Sequence, residues 1–201
     1  MATLVGIAAI VFSALYFISD VIELSQGGFS TLQLALTYAA EAAIPLFVLG
    51  LYAVQRPHIG RLGFVGAVTY AYTFVFFTST VVYALVNHTS DWEILQKDLG
   101  AWMTFHSALM VAAGLMLGVA VAQAKVLPRW TGITLIAGMV LMAATSGLPD
   151  AARTLSAGVR DLAFAAMGAS LLRRVPAAPS HTRGSSTQLL VRRTMNRVTT
   201  P

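Results

Sequence analysis

Residues 62–90 read LGFVGAVTYAYTFVFFTSTVVYALVNHTS and contain no Asp, Glu, Lys or Arg. This run exceeds the roughly 20 apolar residues that a helix needs to cross the hydrocarbon core of a bilayer. Comparable uncharged runs separate Asp98 from Lys125 and Arg129 from Asp150. The spacing of charges therefore predicts a chain that crosses a membrane several times.

The composition excludes most classes of soluble protein. Of the 201 residues, 57% are hydrophobic and 10% are charged, whereas a soluble domain carries about 25% charged residues. A secreted domain, a nucleic-acid-binding protein and a soluble enzyme are therefore excluded. The chain has no cysteine, which removes disulfides, thiolate metal sites and a cysteine nucleophile. Its four histidines show no metal-ligand spacing, so we expect neither a metal nor another cofactor.

The pattern predicts an all-α bundle of six transmembrane helices. The first apolar run contains no Lys or Arg before position 20, so we expect it to stay in the mature chain as a helix and not to act as a signal peptide. The sixth segment crosses the membrane only if Arg160 and Asp161 enter it; a re-entrant or interfacial segment is the alternative. The predicted helices cover residues 3–24, 31–54, 62–86, 101–124, 130–146 and 150–172.

Charged residues alternate between the predicted connections. Basic residues dominate after the second, fourth and sixth helices, and acidic residues dominate after the first and third. Basic loops stay in the cytoplasm of a membrane protein, so both termini are expected there.

Two regions follow, a helical bundle over residues 1–172 and a tail over residues 173–201. The tail contains six basic residues and no acidic one, together with several Pro, Gly and Ser residues. This composition is typical of a disordered segment. We expect a solvated cytoplasmic tail; contact with anionic lipid headgroups is the alternative.

Polar residues recur at helical spacing and indicate the faces that look into the bundle. Helices one and two each carry such a stripe in steps of three and four, and helices three and four carry stripes of polar and aromatic residues. By depth, these groups converge on a cavity in the non-cytoplasmic half of the membrane. The stripes include Tyr16, Asp20 and Glu23, then Gln33, Thr37 and Glu41, then Tyr72, Phe76 and Tyr83, then Trp102 and His106.

Glu41 is the most informative of these residues because it lies about ten residues inside helix two, near the membrane midplane. A carboxylate at that depth must be paired, hydrated in a cavity, or protonated. Pro45 lacks the N–H that would bond the Glu41 carbonyl, so the helix is expected to bend there. The structural alternative is a hydrogen bond to a neighbouring helix or a pair with Arg160.

A buried acid beside aromatic rings suits one class of reaction. Protonation of an isoprenoid alkene or epoxide starts a cyclisation through carbocations, which ring faces stabilise. The sequence has no Asp-rich motif that would hold Mg²⁺ and a diphosphate. The bilayer would supply a hydrophobic, prenylated small-molecule substrate. The side chains expected to contact it are Tyr16, Tyr72, Phe76, Tyr83, Trp102 and His106.

In helix number, length and intramembrane carboxylates, residues 1–172 resemble the small integral-membrane terpene cyclases of bacteria that act on farnesylated indole-diketopiperazines. More distantly, they resemble the fungal meroterpenoid cyclases. The segment A-E-A-A-I-P at residues 40–45 is the most pointed part of the likeness. These enzymes use acidic residues for protonation, so the resemblance implies Glu41 as the acid, with Asp20 or Asp161 as a second acid.

Two other functions remain open from the sequence. In a proton-coupled small-molecule transporter, Glu41, Asp161 and His106 would form a coupling or binding set near the midplane. In a non-catalytic membrane subunit, the polar stripes would only hold the helices together.

Overall fold

The computed structural model describes residues 1–173, which form six α-helices and, within that range, no strand. Apart from Arg173, the predicted tail lies outside the described residues. The prediction of an all-α bundle is confirmed. The helices are α1 (Ala2–Gln26), α2 (Thr31–Val54), α3 (Gly60–Asn87), α4 (Trp92–Ala124), α5 (Arg129–Ala144) and α6 (Asp150–Leu172).

Five of the six described helices are long and apolar enough to cross a bilayer. The exception is α5, whose 16 residues span about 24 Å at 1.5 Å per residue. The sequence had instead left the sixth helix in doubt, but α6 has 23 residues and meets the criterion. Large apolar side chains such as Leu46 and Val75 are exposed on the outer surface, as a protein surrounded by lipid requires.

The helices form a closed ring in chain order. Each helix packs antiparallel against the next, and α6 returns to pack against α1. One end of the ring, here called the mouth, carries residues 27–30, 88–91 and 145–149. The opposite end, here called the base, carries residues 55–59 and 125–128 and both ends of the described chain.

Small residues allow the helices of the ring to approach closely, as in other membrane bundles. A Cβ on Gly168 of α6 would lie 2.5 Å from the Gly6 carbonyl oxygen of α1. A Cβ on Gly132 of α5 would lie equally close, 2.5 Å, to the Gly118 carbonyl oxygen of α4. The contact between α1 and α6 that closes the ring therefore depends on the absence of a side chain at both Gly6 and Gly168.

The fourth helix differs from its prediction, because it begins at Trp92 and not near residue 101. Asp91 caps it by accepting a hydrogen bond from the Ile94 backbone N–H at 2.9 Å. At Gly100 the backbone leaves the helical region (φ 52°, ψ −126°), a conformation that glycine adopts without strain. Residues 92–99 thus form a separate short helix at the mouth. The sequence predicted this segment as a loop because of its charged side chains.

Aromatic side chains fill the centre of the ring towards the base. The Phe164 ring lies 5.6 Å from the rings of both Phe47 and Tyr70, and the Tyr70 ring lies 5.0 Å from that of Phe74. All four side chains are buried. The cluster is therefore tightly packed, and the space between it and the mouth is available for a cavity.

Candidate functional site

A cavity of about 770 Å³ occupies the mouth half of the ring and is lined by residues from all six helices. It runs from Gly27, Asp91 and Asp150 at the mouth to Glu41 and Arg160 next to the aromatic cluster. Its volume lies within the range of about 300–1,000 Å³ that is usual for small-molecule sites.

The Glu41 carboxyl forms the inner end of the cavity. Only 4% of this residue is exposed. Its Oε1 accepts a hydrogen bond of 2.8 Å from the Tyr16 hydroxyl, whereas its Oε2 has no hydrogen-bond partner among residues 1–173. The pair meets because α1 and α2 run antiparallel, which brings position 16 level with position 41. One oxygen of Glu41 is thereby fixed, and the other is buried without a hydrogen-bond partner among the described residues.

A ladder of polar side chains continues from this pair towards the mouth. The Gln33 amide donates hydrogen bonds to Glu23 Oε2 at 3.1 Å and to Thr37 Oγ1 at 3.0 Å. Thr37 Oγ1 lies 3.0 Å from Ser19 Oγ. The polar stripes of the first two helices therefore face each other, and Tyr16, Asp20, Glu23 and Glu41 all line the cavity.

Arg160 lines the cavity at the same depth as Glu41 and is almost fully buried, with 2% exposed. Its Nε donates to Asp161 Oδ1 at 2.9 Å, and its guanidinium carbon lies 4.6 Å from the centre of the Tyr16 ring. The two adjacent side chains meet because the long arginine side chain bends back to its neighbour.

The carboxylates differ in their position relative to the cavity. Asp20 lines it one helical turn above Tyr16, but Asp161 does not belong to its wall within the described chain. The single contact of Asp161 with the site is through Arg160. Asp161 therefore balances the charge of Arg160 and is placed to position that side chain. It does not line this cavity in the described chain, and its role as a second acid stays a prediction.

The predicted stripes on the third and fourth helices do not reach the cavity. Trp102 and Tyr72 are 67% and 53% exposed, the Phe76 ring stacks on His106 at 3.7 Å, and Tyr83 is only partly buried. The rings of Tyr72, Phe76 and Trp102 surround His106, which lies 3.2 Å from the Tyr72 hydroxyl. None of these five residues lines this cavity in the described chain, and their contact with a substrate stays a prediction. Tyr72, Phe76, Trp102 and His106 instead pack together where α3 meets α4.

Two polar residues of α3 explain why its polar stripe does not line the cavity. Thr73 and Thr80 are buried, but their hydroxyls donate to the carbonyls of Tyr70 and Phe77 three residues earlier in the same helix. A threonine that satisfies itself in this way needs no polar cavity. The α3 residue that does line the cavity is Phe77, one position away from the predicted Phe76.

Other cavity residues were not predicted. Trp92 and Glu93 line the mouth because they belong to the short helix that Asp91 caps. The sequence feature that could have predicted this helix is Asp91, whose side chain accepts from the Ile94 N–H. The Ile94 backbone N–H, assisted by the Ser90 hydroxyl, lowers the pKa of Asp91, so this rim carboxylate is ionised at neutral pH. Within residues 1–173 no group of three or more His, Asp or Glu side chains could hold a metal ion.

Comparison of the chain with protein-family models, curated proteins and solved structures finds no match in any of the three. What the protein does must therefore be argued from the chemistry of the cavity itself.

Proposed function

We propose that the protein is a membrane-embedded acid catalyst that protonates an alkene or epoxide of a prenylated small molecule and so starts its cyclisation. The observation that carries the proposal is the environment of Glu41. Its Oε1 is held by Tyr16, and its Oε2 is unpartnered among the described residues at the inner end of a cavity of ligand size.

The chemistry follows from that arrangement. The proton leaves Glu41 Oε2 for the substrate, and a carboxylate remains. The Tyr16 hydroxyl already donates to Oε1, and a hydrogen bond to a charged acceptor is about twice as strong as one to a neutral acceptor. Tyr16 therefore stabilises Glu41 more after proton transfer than before it, which is the differential stabilisation that catalysis requires.

The positive charge that passes to the substrate is stabilised by the same cavity. The side chains of Tyr16 and Phe77 line it, and aromatic ring faces attract cations without capturing them. The reaction ends when a carbon-bound proton is lost to a carboxylate, either Asp20 or Glu41 itself. If Asp20 accepts the proton, its return to Glu41 along the shared cavity restores the catalyst, and the product is an isomer of the substrate.

The cavity is proposed to open on the non-cytoplasmic side, with both termini in the cytoplasm. Within the described range, the base carries Arg56, Arg61, Lys125, Arg129 and Arg173, whereas acidic side chains predominate at the mouth. Basic residues are retained on the cytoplasmic side. Alkaline phosphatase fused after Asp91 should be active, and activity of a fusion after Arg173 would contradict this orientation.

The decisive experiment compares Glu41→Gln with wild-type protein. Membranes are incubated with a farnesylated aromatic substrate, and the products are searched for an isomer of unchanged mass and altered retention. The variant keeps the size of the side chain but loses the transferable proton, so turnover should fall by about 100-fold or more. Asp98→Asn, which changes an exposed carboxylate outside the cavity, is the control and should convert substrate at the wild-type rate.

Three outcomes separate the possible assignments. Loss of turnover in Glu41→Gln alone supports the proposal. Normal turnover in Glu41→Gln with loss in Asp20→Asn moves the acid to Asp20. If Glu41→Gln and Asp20→Asn both insert normally and convert substrate at the wild-type rate, an intramembrane carboxyl is not the proton donor.

Proton-coupled transport is the second candidate, and one observation favours it. The cavity reaches the mouth, while aromatic side chains close the base, as in one state of an alternating-access transporter. The predicted set of Glu41, Asp161 and His106 is not assembled, because His106 lies outside the cavity. In a transporter, Glu41→Gln would uncouple uptake from the proton gradient, and wild-type membranes would yield no isomer.

A further inference from the structure

The cavity wall carries an excess of negative charge. Six carboxylates and two arginines line it. Arg153 is paired with Asp150, and Arg160 is paired with Asp161, so both positive charges are already balanced. Besides Glu41, the proposed proton donor, four lining acidic side chains are left without a basic partner in the described range: Asp20, Glu23, Asp91 and Glu93.

A second observation points from this charge to a ligand. Glu41 lines the cavity and is 96% buried, given its exposed fraction of 4%, and its Oε2 has no hydrogen-bond partner in residues 1–173. Such an atom loses the hydrogen bonds it would make with water and gains none from the protein, which is costly. A polar group of a bound molecule would satisfy it.

The side chains of the cavity wall favour an organic cation over a metal ion as the ligand. As stated above, the described residues contain no group of three or more potential ligands around one point. Between and below the carboxylates lie apolar side chains, including Leu24, Val111 and Met142, and the aromatic rings of Phe77 and Trp92. Aromatic faces bind alkylated ammonium and similar soft cations, and the apolar side chains match a hydrophobic body.

We propose that this cavity binds an amphipathic organic cation, with the positive group beside Asp20 and Glu23 and the apolar part against the Phe77 side of the wall. In catalysis the substrate is then a prenylated molecule that carries a basic nitrogen, and this link rests on the proposed function. The binding itself is independent of turnover and is measured separately.

The test uses tetraphenylphosphonium, a compact lipophilic cation, and tetraphenylborate, an anion of the same shape. The full-length protein, purified in a nonionic maltoside detergent, is titrated with each ion by calorimetry. Tetraphenylphosphonium should saturate a single site, and tetraphenylborate should not. Removing one charge within a few ångströms of the ligand should weaken binding about tenfold or more, so Asp20→Asn should raise the Kd by that factor.

Matched variants guard against a folding artefact. Glu93 and Asp98 are both exposed residues of the short mouth helix, but only Glu93 lines the cavity. Glu93→Gln should weaken cation binding several-fold, and Asp98→Asn should leave it unchanged. Equal binding of the two ions, or equal effects of Glu93→Gln and Asp98→Asn, would overturn the inference even if Asp20→Asn failed to fold.

Failure of this inference is distinguishable from failure of the proposed function. If tetraphenylphosphonium binds with the expected dependence on Glu93 and no isomer forms from any prenylated amine, the ligand class stands and the cyclase proposal fails. If a neutral prenylated substrate is isomerised through Glu41 and tetraphenylphosphonium neither binds nor inhibits, the catalytic proposal stands and the ligand class is wrong.

Discussion

Removing the Tyr16 hydroxyl isolates the contribution of one hydrogen bond to the proposed acid. Tyr16→Phe deletes the donor that lies 2.8 Å from Glu41 Oε1 and keeps the ring that lies 4.6 Å from the Arg160 guanidinium carbon. A hydrogen bond to a charged group contributes about 1.5–3 kcal/mol. If it acts fully in the transition state, turnover falls by about 10- to 150-fold, because 1.4 kcal/mol corresponds to a factor of ten.

The assay is the initial rate of isomer formation by membranes that contain equal amounts of folded protein. Because the bond strengthens as Glu41 loses its proton, kcat should fall more than KM changes. The matched control is Tyr72→Phe, which removes another tyrosine hydroxyl, one that lies 3.2 Å from His106 Nε2 outside the cavity. Unchanged turnover in Tyr16→Phe, or equal losses in both variants, would refute the reasoning.

Two further predictions concern the stability of the bundle. Gly168→Ala places a Cβ 2.5 Å from the Gly6 carbonyl oxygen, so it should destabilise the protein by about 1–3 kcal/mol and lower its Tm in detergent, whereas Gly147→Ala, which meets nothing within 4 Å, should leave the Tm unchanged. Asp161→Asn leaves the buried Arg160 charge without its counter-ion and should cost about 3–5 kcal/mol, measured by the same melt; adding Arg160→Leu should restore part of that loss.

The sequence predicted the half of the site that lies between α1 and α2. Tyr16 and Asp20 share one face of α1 with Glu23, and Glu41 shares one face of α2 with Gln33 and Thr37. Such polar faces leave lipid by turning towards each other. That argument needs no knowledge of neighbouring helices, since consecutive helices joined by a short loop must pack side by side.

The other half could not be predicted in the same way. A stripe on α3 identifies a face but not the helix that it meets, so Tyr72 and Phe76 were assigned to the cavity although they pack on the outer side of α4. The pairing of Arg160 with Asp161 was not predicted either, because a flexible arginine side chain can reach a neighbour that its backbone points away from.

The aromatic cluster of Phe47, Tyr70, Phe74 and Phe164 has a kinetic consequence. Because it lies on the base side of the cavity in the described bundle, the substrate and product of the proposed reaction do not pass through the base. A product that has the mass of its substrate and nearly its shape then occupies the same space until it diffuses back out. Product inhibition should therefore be competitive, and at high product concentration the release step should set the observed rate.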